Sequence, residues 1–283
     1  MNNILVTGGN GQLGSELKEL SSKFTEYSFF FTDRSQLNIT NHAAVDAFIT
    51  KNEIDTLINC AAYTAVDKAE SEPDLANAIN HLAVKNMAEV AKAQQIKLVH
   101  ISTDYVFDGR SHKPYVETDA TNPQSVYGQT KLDGELAIQA VNPANSIIIR
   151  TSWVYSKFGD NFVKTMLRLA ETRNELSVVA DQIGSPTNAA DLAKAILTVL
   201  PQIENNFPEI YHYSNEGVCS WHDFAKAIFE IKELSIRVNP IESSQYPTAA
   251  KRPFFSVLSK QKIKNTFKLH IPNWKYSLTY SLT

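Results

Sequence analysis

The sequence predicts an α/β fold, in which a doubly wound parallel sheet is followed by a smaller C-terminal domain. Short apolar runs that indicate strands alternate with helix-like segments between residues 4 and 149. Such alternation produces a parallel sheet with right-handed crossovers. After Trp153 the alternation gives way to shorter, mixed segments. The 283 residues and the apolar content of 43% are sufficient for a sizeable core.

The first element is a strand over residues 4–6, and a glycine-rich turn follows it before helical character over residues 16–20. The turn reads Gly8-Gly9-Asn10-Gly11-Gln12-Leu13-Gly14. Glycines let the backbone approach a pyrophosphate and let the helix pack close to the sheet. Free N–H groups at the helix start then face the phosphates. We therefore predict a Rossmann-type dinucleotide site, in preference to a glycine turn without a ligand.

A second strand over residues 27–32 ends at Asp33 and Arg34. An acid about 20 residues beyond the fingerprint is where the adenosine ribose is held. Asp33 favours NAD through its 2′-hydroxyl, whereas Arg34 suits the 2′-phosphate of NADP. The sequence thus predicts NADPH or NADH as cofactor without choosing between them. A solvated strand end is a competing interpretation.

The remaining elements complete the sheet and the second half of the chain. In the first half we predict helices over residues 43–49 and 74–94 and strands over residues 55–62, 98–101 and 147–149. In the second half we predict helices over residues 161–170, 189–200 and 221–231 and strands over residues 176–180 and 210–213. We expect a dinucleotide-binding domain over residues 1–152, to which 176–216 return, and a substrate-binding domain from 153–175 and 217–283. Ligands bind at the carboxyl ends of such sheets, where Ala61 and Ala62 leave room for something flat.

Tyr127 and Lys131 stand four residues apart at the start of a predicted helix, so both side chains lie on one face. An ammonium beside a phenol favours the phenolate and lowers a pKa that starts near ~10. The pair therefore predicts a catalytic acid, although the same spacing occurs on many solvated helices. Thr103 ends the fourth strand, where its hydroxyl is placed to bind a substrate carbonyl. A turn made by Ser, Thr and Asp explains that position equally well.

Together these residues resemble the extended short-chain dehydrogenase/reductase superfamily. More narrowly, the chain resembles the dTDP-4-dehydrorhamnose reductase family over nearly its whole length. The strings that carry this resemblance are Asn-Cys-Ala-Ala-Tyr-Thr-Ala-Val-Asp-Lys-Ala-Glu (59–70), Ser-Thr-Asp-Tyr-Val-Phe-Asp-Gly (102–109), Val-Tyr-Gly-Gln-Thr-Lys (126–131), Arg-Thr-Ser-Trp-Val-Tyr (150–155), Asp-Gln-Ile-Gly-Ser-Pro-Thr (181–187) and Lys251-Arg252-Pro253. Each motif is common, but the set in this order is specific.

The resemblance implies reduction of the C4 ketone of a dTDP-linked 6-deoxy-4-keto-hexose to dTDP-L-rhamnose. It gives Tyr127 the role of the acid, places Thr103 on the C4 oxygen, and lets Lys131 hold the nicotinamide ribose and lower the pKa of Tyr127. Asp104 and Trp153 match positions that contact the sugar nucleotide, although a core position is the commoner fate of a tryptophan. The predicted cofactor-binding set is Gly8, Asn10, Gly11, Gln12, Leu13, Gly14, Asp33, Arg34, Asn38, Ile39, Ala62, Tyr63, Thr64, Ser102, Tyr127 and Lys131.

Composition argues against several other classes of function. The net charge of −3, without a basic block, predicts no nucleic-acid partner. No apolar run reaches membrane-spanning length and no signal-type N-terminus is present, so we expect a cytoplasmic protein. The two cysteines, Cys60 and Cys219, lie too far apart in sequence to suggest a metal site.

Some members of the family form a dimer through a metal ion held by three acidic residues. Glu16 and Asp191 stand at two of those positions, but residues 277–283 offer no acid for the third. We therefore predict no metal and leave the oligomeric state open.

Two rival functions share the predicted fold. Other nucleotide-sugar epimerases and dehydratases carry the same Tyr/Lys pair, and dehydratases usually add an acid beside the strand-end hydroxyl, as Asp104 does here. A regulatory subunit of methionine adenosyltransferase has the fold without the reaction, but the complete Thr103, Tyr127 and Lys131 set favours an enzyme.

Overall fold

The computed structural model describes residues 2–283 and confirms the predicted α/β class. Its strands are β1 (Asn2–Thr7), β2 (Tyr27–Thr32), β3 (Thr56–Asn59), β4 (Lys97–Thr103), β5 (Ser146–Thr151), β6 (Val154–Tyr155), β7 (Glu175–Val179), β8 (Ile183–Gly184), β9 (Thr187–Asn188), β10 (Glu209–His212), β11 (Cys219–Ser220) and β12 (Arg237–Ile241). Six of them form one sheet in the order β10-β5-β4-β3-β1-β2, and every neighbouring pair in that sheet is parallel.

The helices alternate with these strands in the first half, as the sequence predicts. They are α1 (Gln12–Ser21), α2 (His42–Lys51), α3 (Val66–Ala69), α4 (Pro73–Asn77), α5 (Ala83–Gln94), α6 (Val126–Val141), α7 (Phe162–Ala170), α8 (Ala189–Val199), α9 (Trp221–Ile231), α10 (Gln261–Phe267) and α11 (Trp274–Leu282).

The helix predicted over residues 74–94 is interrupted by a π-helical turn over Ala78–Leu82, which joins α4 to α5. Asn80 within this turn accepts a hydrogen bond from the backbone N–H of Tyr63 at 2.8 Å and donates to the Tyr63 carbonyl at 3.1 Å. A Cβ added to Gly134 of α6 would lie 2.2 Å from the Asn80 carbonyl oxygen. The turn therefore forms where a loop bonds to the Asn80 side chain and a neighbouring helix approaches the Asn80 backbone, which propensity alone does not reveal.

Each face of the main sheet has its own hydrophobic core, because side chains alternate along a strand. Ile4 and Val6 of β1 lie in the core covered by α1, α8 and α10, whereas Leu5 lies in the core covered by α2, α5 and α6. Both faces are thus buried, as expected for a parallel sheet.

A third core forms away from the main sheet. It joins Leu176 and Val178 of β7 to Phe224 and Ile228 of α9 and to Leu278 of α11. β7 pairs with β12 and not with the main sheet, although its range falls within the segment expected to return to the first domain. By contrast, α8 and β10 do lie with the main sheet. The sequence does not show which strand pairs with β7, because β12 lies about 60 residues further along the chain. The domain boundaries stay a proposal.

The strand order places a crevice at the carboxyl ends of β1 and β3. β2 lies on one side of β1 and β3 on the other, so the chain reverses its winding direction between β1 and β3. Ligands in open parallel sheets bind at the carboxyl ends of the strands beside such a switch point. Within residues 2–283, no helix combines the length and the apolar character needed to cross a membrane.

Candidate active site

A cavity of about 1010 Å³ lies along the carboxyl edge of the sheet. This volume is at the upper end of the ~300–1,000 Å³ typical of ligand pockets. The cavity is lined by most of the predicted site residues: Gly8, Asn10, Gly11, Gln12, Leu13, Asp33, Arg34, Asn38, Ile39, Ala62, Thr64, Ser102, Thr103, Asp104, Tyr127, Lys131 and Trp153. The structure therefore brings together residues that span nearly 150 positions of the sequence.

Two predicted cofactor residues lie outside the cavity lining. Gly14 packs behind it, where an added Cβ would lie 2.3 Å from the Gly8 carbonyl oxygen. Its role is the close approach of α1 to the preceding turn. The side chain of Tyr63 is directed elsewhere, because its hydroxyl donates to the Glu72 carboxylate at 2.7 Å and Asn80 fixes its backbone. The predicted contact between Tyr63 and the cofactor is therefore not formed by a side chain that lines the cavity.

The glycine turn gives the cavity an anion-binding end. Gly8 has a φ of +68°, and the Gly11 N–H donates to the Gly8 carbonyl at 2.9 Å, which closes the turn before α1. Gly11 occupies the N-cap position, and no side chain among residues 2–283 caps this helix. The N–H groups of the first turn of α1 are thus left for a ligand, and the helix dipole favours negative charge there.

Asp33 and Arg34 lie at the far end of the cavity and differ in whether their side chains already have hydrogen-bond partners within the protein. Asp33 accepts hydrogen bonds from the Asn10 amide at 2.7 Å and from the Ser35 hydroxyl and N–H at 2.6 and 2.8 Å. The Ser35 hydroxyl is the main cause that lowers the pKa of Asp33. Arg34 is exposed and forms no hydrogen bond or ion pair with any of residues 2–283. Its guanidinium is therefore the charged group still available to a ligand.

Thr103 and Tyr127 meet at the opposite end. Thr103 is the last residue of β4, while the Ser125 hydroxyl caps α6 by accepting from the Gly128 N–H at 3.1 Å and so sets where that helix begins. Tyr127 and Thr103 both line the cavity at this end. Burial raises the pKa of Tyr127 to about 12, and the nearby Asp104 carboxylate acts in the same direction. Tyr127 is consequently a protonated phenol at neutral pH.

Lys131 lies one helical turn after Tyr127 and is 2% exposed. Its Nζ donates to the Ile101 carbonyl at 2.6 Å and lies 3.3 Å from Nε2 of His100. Burial lowers the pKa of Lys131 to about 8. The expected lowering of the Tyr127 pKa by Lys131 is wrong for this structure, because the Lys131 Nζ is turned towards β4 and burial of the phenol dominates.

Asp104 provides an open acceptor beside the reacting groups. One carboxylate oxygen accepts from the Thr103 hydroxyl at 3.1 Å. The other oxygen, Oδ2, is buried without a partner among residues 2–283. Burial raises the pKa of Asp104 to about 6. An unpaired buried acceptor is costly, so this oxygen is a natural site for a ligand hydroxyl.

Ser102 lines the cavity, but its hydroxyl serves the protein interior. It donates to Glu135 Oε1 at 2.5 Å, and Glu135 forms a two-pronged ion pair with Arg150, whose closest contact is 2.7 Å. The side chains of Glu135 and Arg150 are only 1% and 3% exposed. This network fixes the ends of β4 and β5 against α6, and so positions the residues that follow them.

The other wall of the cavity is aromatic. The Trp153 ring stacks on Trp221 with the ring centres 3.6 Å apart, and Phe162 packs against Trp221 at 4.6 Å. Trp153 has a φ of +49°, and an added Cβ on Gly184 would lie 2.6 Å from its indole. Trp221 also lines the cavity, although its sequence context predicts only a helix. Ser220 caps α9 by accepting from the Asp223 N–H at 3.0 Å, so the position of Trp221 marks a helix start and gives no sign of a site.

The two acidic residues at family metal positions are engaged within the chain. Glu16 accepts from the Ser156 hydroxyl at 2.6 Å. Asp191 accepts from the Asn215 amide at 2.7 Å and from the Ser277 hydroxyl at 2.5 Å. Across residues 2–283, no group of three or more His, Cys, Asp or Glu is arranged to hold a metal ion.

Comparison with known proteins relates the chain to dTDP-4-dehydrorhamnose reductases. The family model described as RmlD substrate binding domain matches residues 1–283. The chain is 44% identical over 282 residues to a dTDP-4-dehydrorhamnose reductase of Sinorhizobium fredii, covering 97% of this chain and 94% of the relative.

Solved structures agree with this placement. A dTDP-4-dehydrorhamnose reductase from Clostridium acetobutylicum is 43% identical with a TM-score of 0.93, covering 99% of this chain and 98% of the other. A reductase of the same name from Bacillus anthracis, solved in complex with NADP, is 40% identical with a TM-score of 0.94 and covers 99% of both chains. These findings confirm the family resemblance carried by the motifs.

Proposed function

The chain belongs to the RmlD substrate binding domain family, and from this premise we propose that it reduces the C4 ketone of dTDP-4-dehydro-L-rhamnose. The product is dTDP-L-rhamnose, a building block of cell-surface polysaccharide, and the hydride comes from NADPH or NADH. The observation that carries the proposal is the convergence of Thr103, Tyr127 and Lys131 in the cavity that begins at the glycine turn. The cytoplasmic location predicted from the sequence stays a prediction, and the oligomeric state stays open.

The residues at the strand ends supply what a ketone reduction needs. When bound, the nicotinamide supplies the hydride. As carbon receives it, negative charge builds on the ketone oxygen, which the hydroxyls of Thr103 and Tyr127 are placed to stabilise. Tyr127 then donates its proton to that oxygen. The raised pKa keeps Tyr127 protonated at the start of the step, as reduction requires.

The side chains around the two ends divide the remaining tasks. The first turn of α1 holds the pyrophosphate, and the cavity surface formed by Ala62 and Thr64 accommodates the cofactor between β1 and β3. Asp104 Oδ2 accepts from a hydroxyl of the sugar, and Trp153 forms the wall against which the sugar nucleotide lies.

Arg34 favours a phosphate at the adenosine end. Because the Asp33 carboxylate already accepts from Asn10 and Ser35, it is less available to a ribose hydroxyl than its position suggests. Arg34 is charged, exposed and unpaired within residues 2–283. We therefore propose that both nucleotides are used, with NADPH bound more tightly.

The direct test mixes the purified protein with dTDP-4-dehydro-L-rhamnose and follows the absorbance of NADH and NADPH in parallel. Rapid loss of the reduced-nicotinamide signal supports the reductase, and the ratio of the two rates measures the cofactor preference. A cuvette that contains dTDP-glucose in place of the ketone is the matched control. No loss with either nucleotide, with the substrate verified, contradicts the proposal.

The rival functions make different demands on the purified protein. An epimerase or dehydratase holds NAD through its cycle, so it would carry bound NAD and would not oxidise added NADH in net terms. A binding subunit of the methionine adenosyltransferase type would co-purify with a synthetase and turn over no nucleotide sugar. The free acceptor on Asp104 beside Thr103 is the feature that keeps the dehydratase alternative under test.

A further inference from the structure

Lys131 ends a buried chain of hydrogen bonds that begins at β1. Asn59, the last residue of β3, accepts at Oδ1 from the Thr7 hydroxyl at 2.7 Å and from the Ala61 N–H at 3.1 Å. A backbone N–H can only donate, so these contacts fix the orientation of the Asn59 amide. Its NH₂ group therefore faces the other way, towards Nδ1 of His100 at 3.0 Å.

This orientation determines where the proton of His100 lies. An NH₂ group has only hydrogens to offer, so Nδ1 of His100 must accept and carries no proton. His100 is fully buried, and burial is the main cause that holds its pKa well below the usual range, so the ring is neutral. A neutral imidazole without a proton on Nδ1 carries it on Nε2.

The Nε2–H group therefore points at Lys131, whose Nζ lies 3.3 Å away. An ammonium has three hydrogens and no lone pair, so it cannot accept this hydrogen bond. A neutral amine accepts from His100 and still donates to the Ile101 carbonyl at 2.6 Å. The arrangement is fully satisfied in only one of the two protonation states of Lys131.

Of the other titratable groups around Lys131, Glu135 favours the ammonium form and the remaining two are neutral. Glu135 on α6 favours the ammonium, but its carboxylate is paired with Arg150 of β5. Cys60, after β3, is a neutral thiol because burial raises its pKa to about 12. Tyr127 lies one turn earlier on α6 and is also neutral.

We propose that His100 is a positioning residue of the reductase site, whose Nε2–H orients the Lys131 side chain and favours its neutral amine. Asn59 sets the tautomer, and β1 and β3 hold Asn59. The pH at which the active-site lysine loses its charge is thus set from the interior of the sheet. The link to catalysis rests on the proposed function, whereas the tautomer of His100 does not.

The first test is the tautomer itself, measured by proton–nitrogen correlation spectra of protein labelled at its 7 histidines. His100→Gln identifies the His100 signals by their disappearance. The proposal expects a protonated Nε2 and an unprotonated Nδ1. A protonated Nδ1 overturns it, whether or not the protein turns over any nucleotide sugar.

The second test compares His100→Leu with His100→Gln in pH profiles of kcat/KM for the ketone substrate. Leucine removes the donor, so the loss of rate at high pH should move upward by about 0.5–1 pH unit. Glutamine offers an amide oxygen to Asn59 and an NH₂ group to Lys131, so its profile should stay near that of the wild type. A profile that moves equally in both variants, or in neither, overturns the proposal.

Discussion

The two ends of the cavity are built differently. At the reacting end, Thr103, Asp104 and Lys131 are at most 5% exposed, and burial shifts the pKa values of Asp104, Tyr127 and Lys131. At the adenosine end, Arg34 is exposed and Asp33 belongs to a local turn. The groups proposed to take part in the reaction are thus held by the sheet and α6, whereas the groups proposed to select the cofactor project from a loop.

Substitutions should therefore have larger energetic effects at the buried end of the cavity than at the exposed end. A buried polar group is held by its partners, and each change leaves a partner unsatisfied in a low-dielectric environment. An exposed charge is solvated with or without its ligand, so its contribution is smaller and depends on salt.

Tyr127→Phe should lower kcat by about 10²–10⁴-fold, because it removes the proton donor from the reacting oxygen. The Kd of NADPH should change little, since the ring and its edge-on contact with Tyr105 remain. Stopped-flow turnover and cofactor fluorescence measure the two quantities. Tyr276→Phe, at an exposed tyrosine of α11, is the matched control. A Tyr127→Phe enzyme with a near wild-type rate would remove the acid role from this residue.

Glu135→Gln should lower the free energy of unfolding by about 3–5 kcal/mol, because Arg150 is left as an uncompensated buried charge. Glu19→Gln breaks the Lys157–Glu19 pair, whose side chains are about half exposed, and should cost less than about 1 kcal/mol. Urea denaturation of both variants measures the contrast. Equal losses would show that burial does not distinguish these two ion pairs.

Asp104 should make the protein less stable as the pH rises from about 4 to 6. Its pKa is raised to about 6 in the folded state, so between these values the folded protein binds a proton that the unfolded chain has released. The effect is on the order of 2–3 kcal/mol. Asp104→Asn should flatten this part of a plot of unfolding free energy against pH. A slope that survives the substitution must come from other groups.

Arg34→Ala should have the smallest effect, and one confined to the phosphorylated nucleotide. We expect the Kd of NADPH to rise by about 5–10-fold and that of NADH to change less than twofold, as for loss of one exposed charge-assisted contact. Titration at two salt concentrations measures both, and the NADPH effect should weaken at high salt. An equal loss for both nucleotides would argue that Arg34 holds a part that they share.

Local sequence patterns were enough to predict the elements that depend on near neighbours in the chain. The glycine turn, the strand ends and the Tyr127/Lys131 spacing were predictable because backbone sterics and helix periodicity act over a few residues. The Ser220 cap of α9 is likewise local, since its hydroxyl accepts from the N–H of Asp223 three residues later. The family strings added the substrate and the roles, and nearly all of the predicted residues line one cavity.

Long-range partners were not predictable in this way. Nothing local shows that β7 pairs with β12, that Trp221 stacks on Trp153, or that Tyr63 turns to Glu72. Sequence spacing placed Lys131 near Tyr127 but did not reveal His100 on its other side.

The sequence alone predicted the class of fold and the dinucleotide turn and nominated the reacting residues, because these depend on neighbours along the chain and on motifs. The charge states of those residues depend instead on the tertiary structure. Burial raises the pKa of Tyr127 and lowers that of Lys131, and which groups become buried depends on contacts between elements far apart in sequence. A pKa is a property of a residue's surroundings, and those surroundings exist only once β1, β3, β4 and α6 have come together.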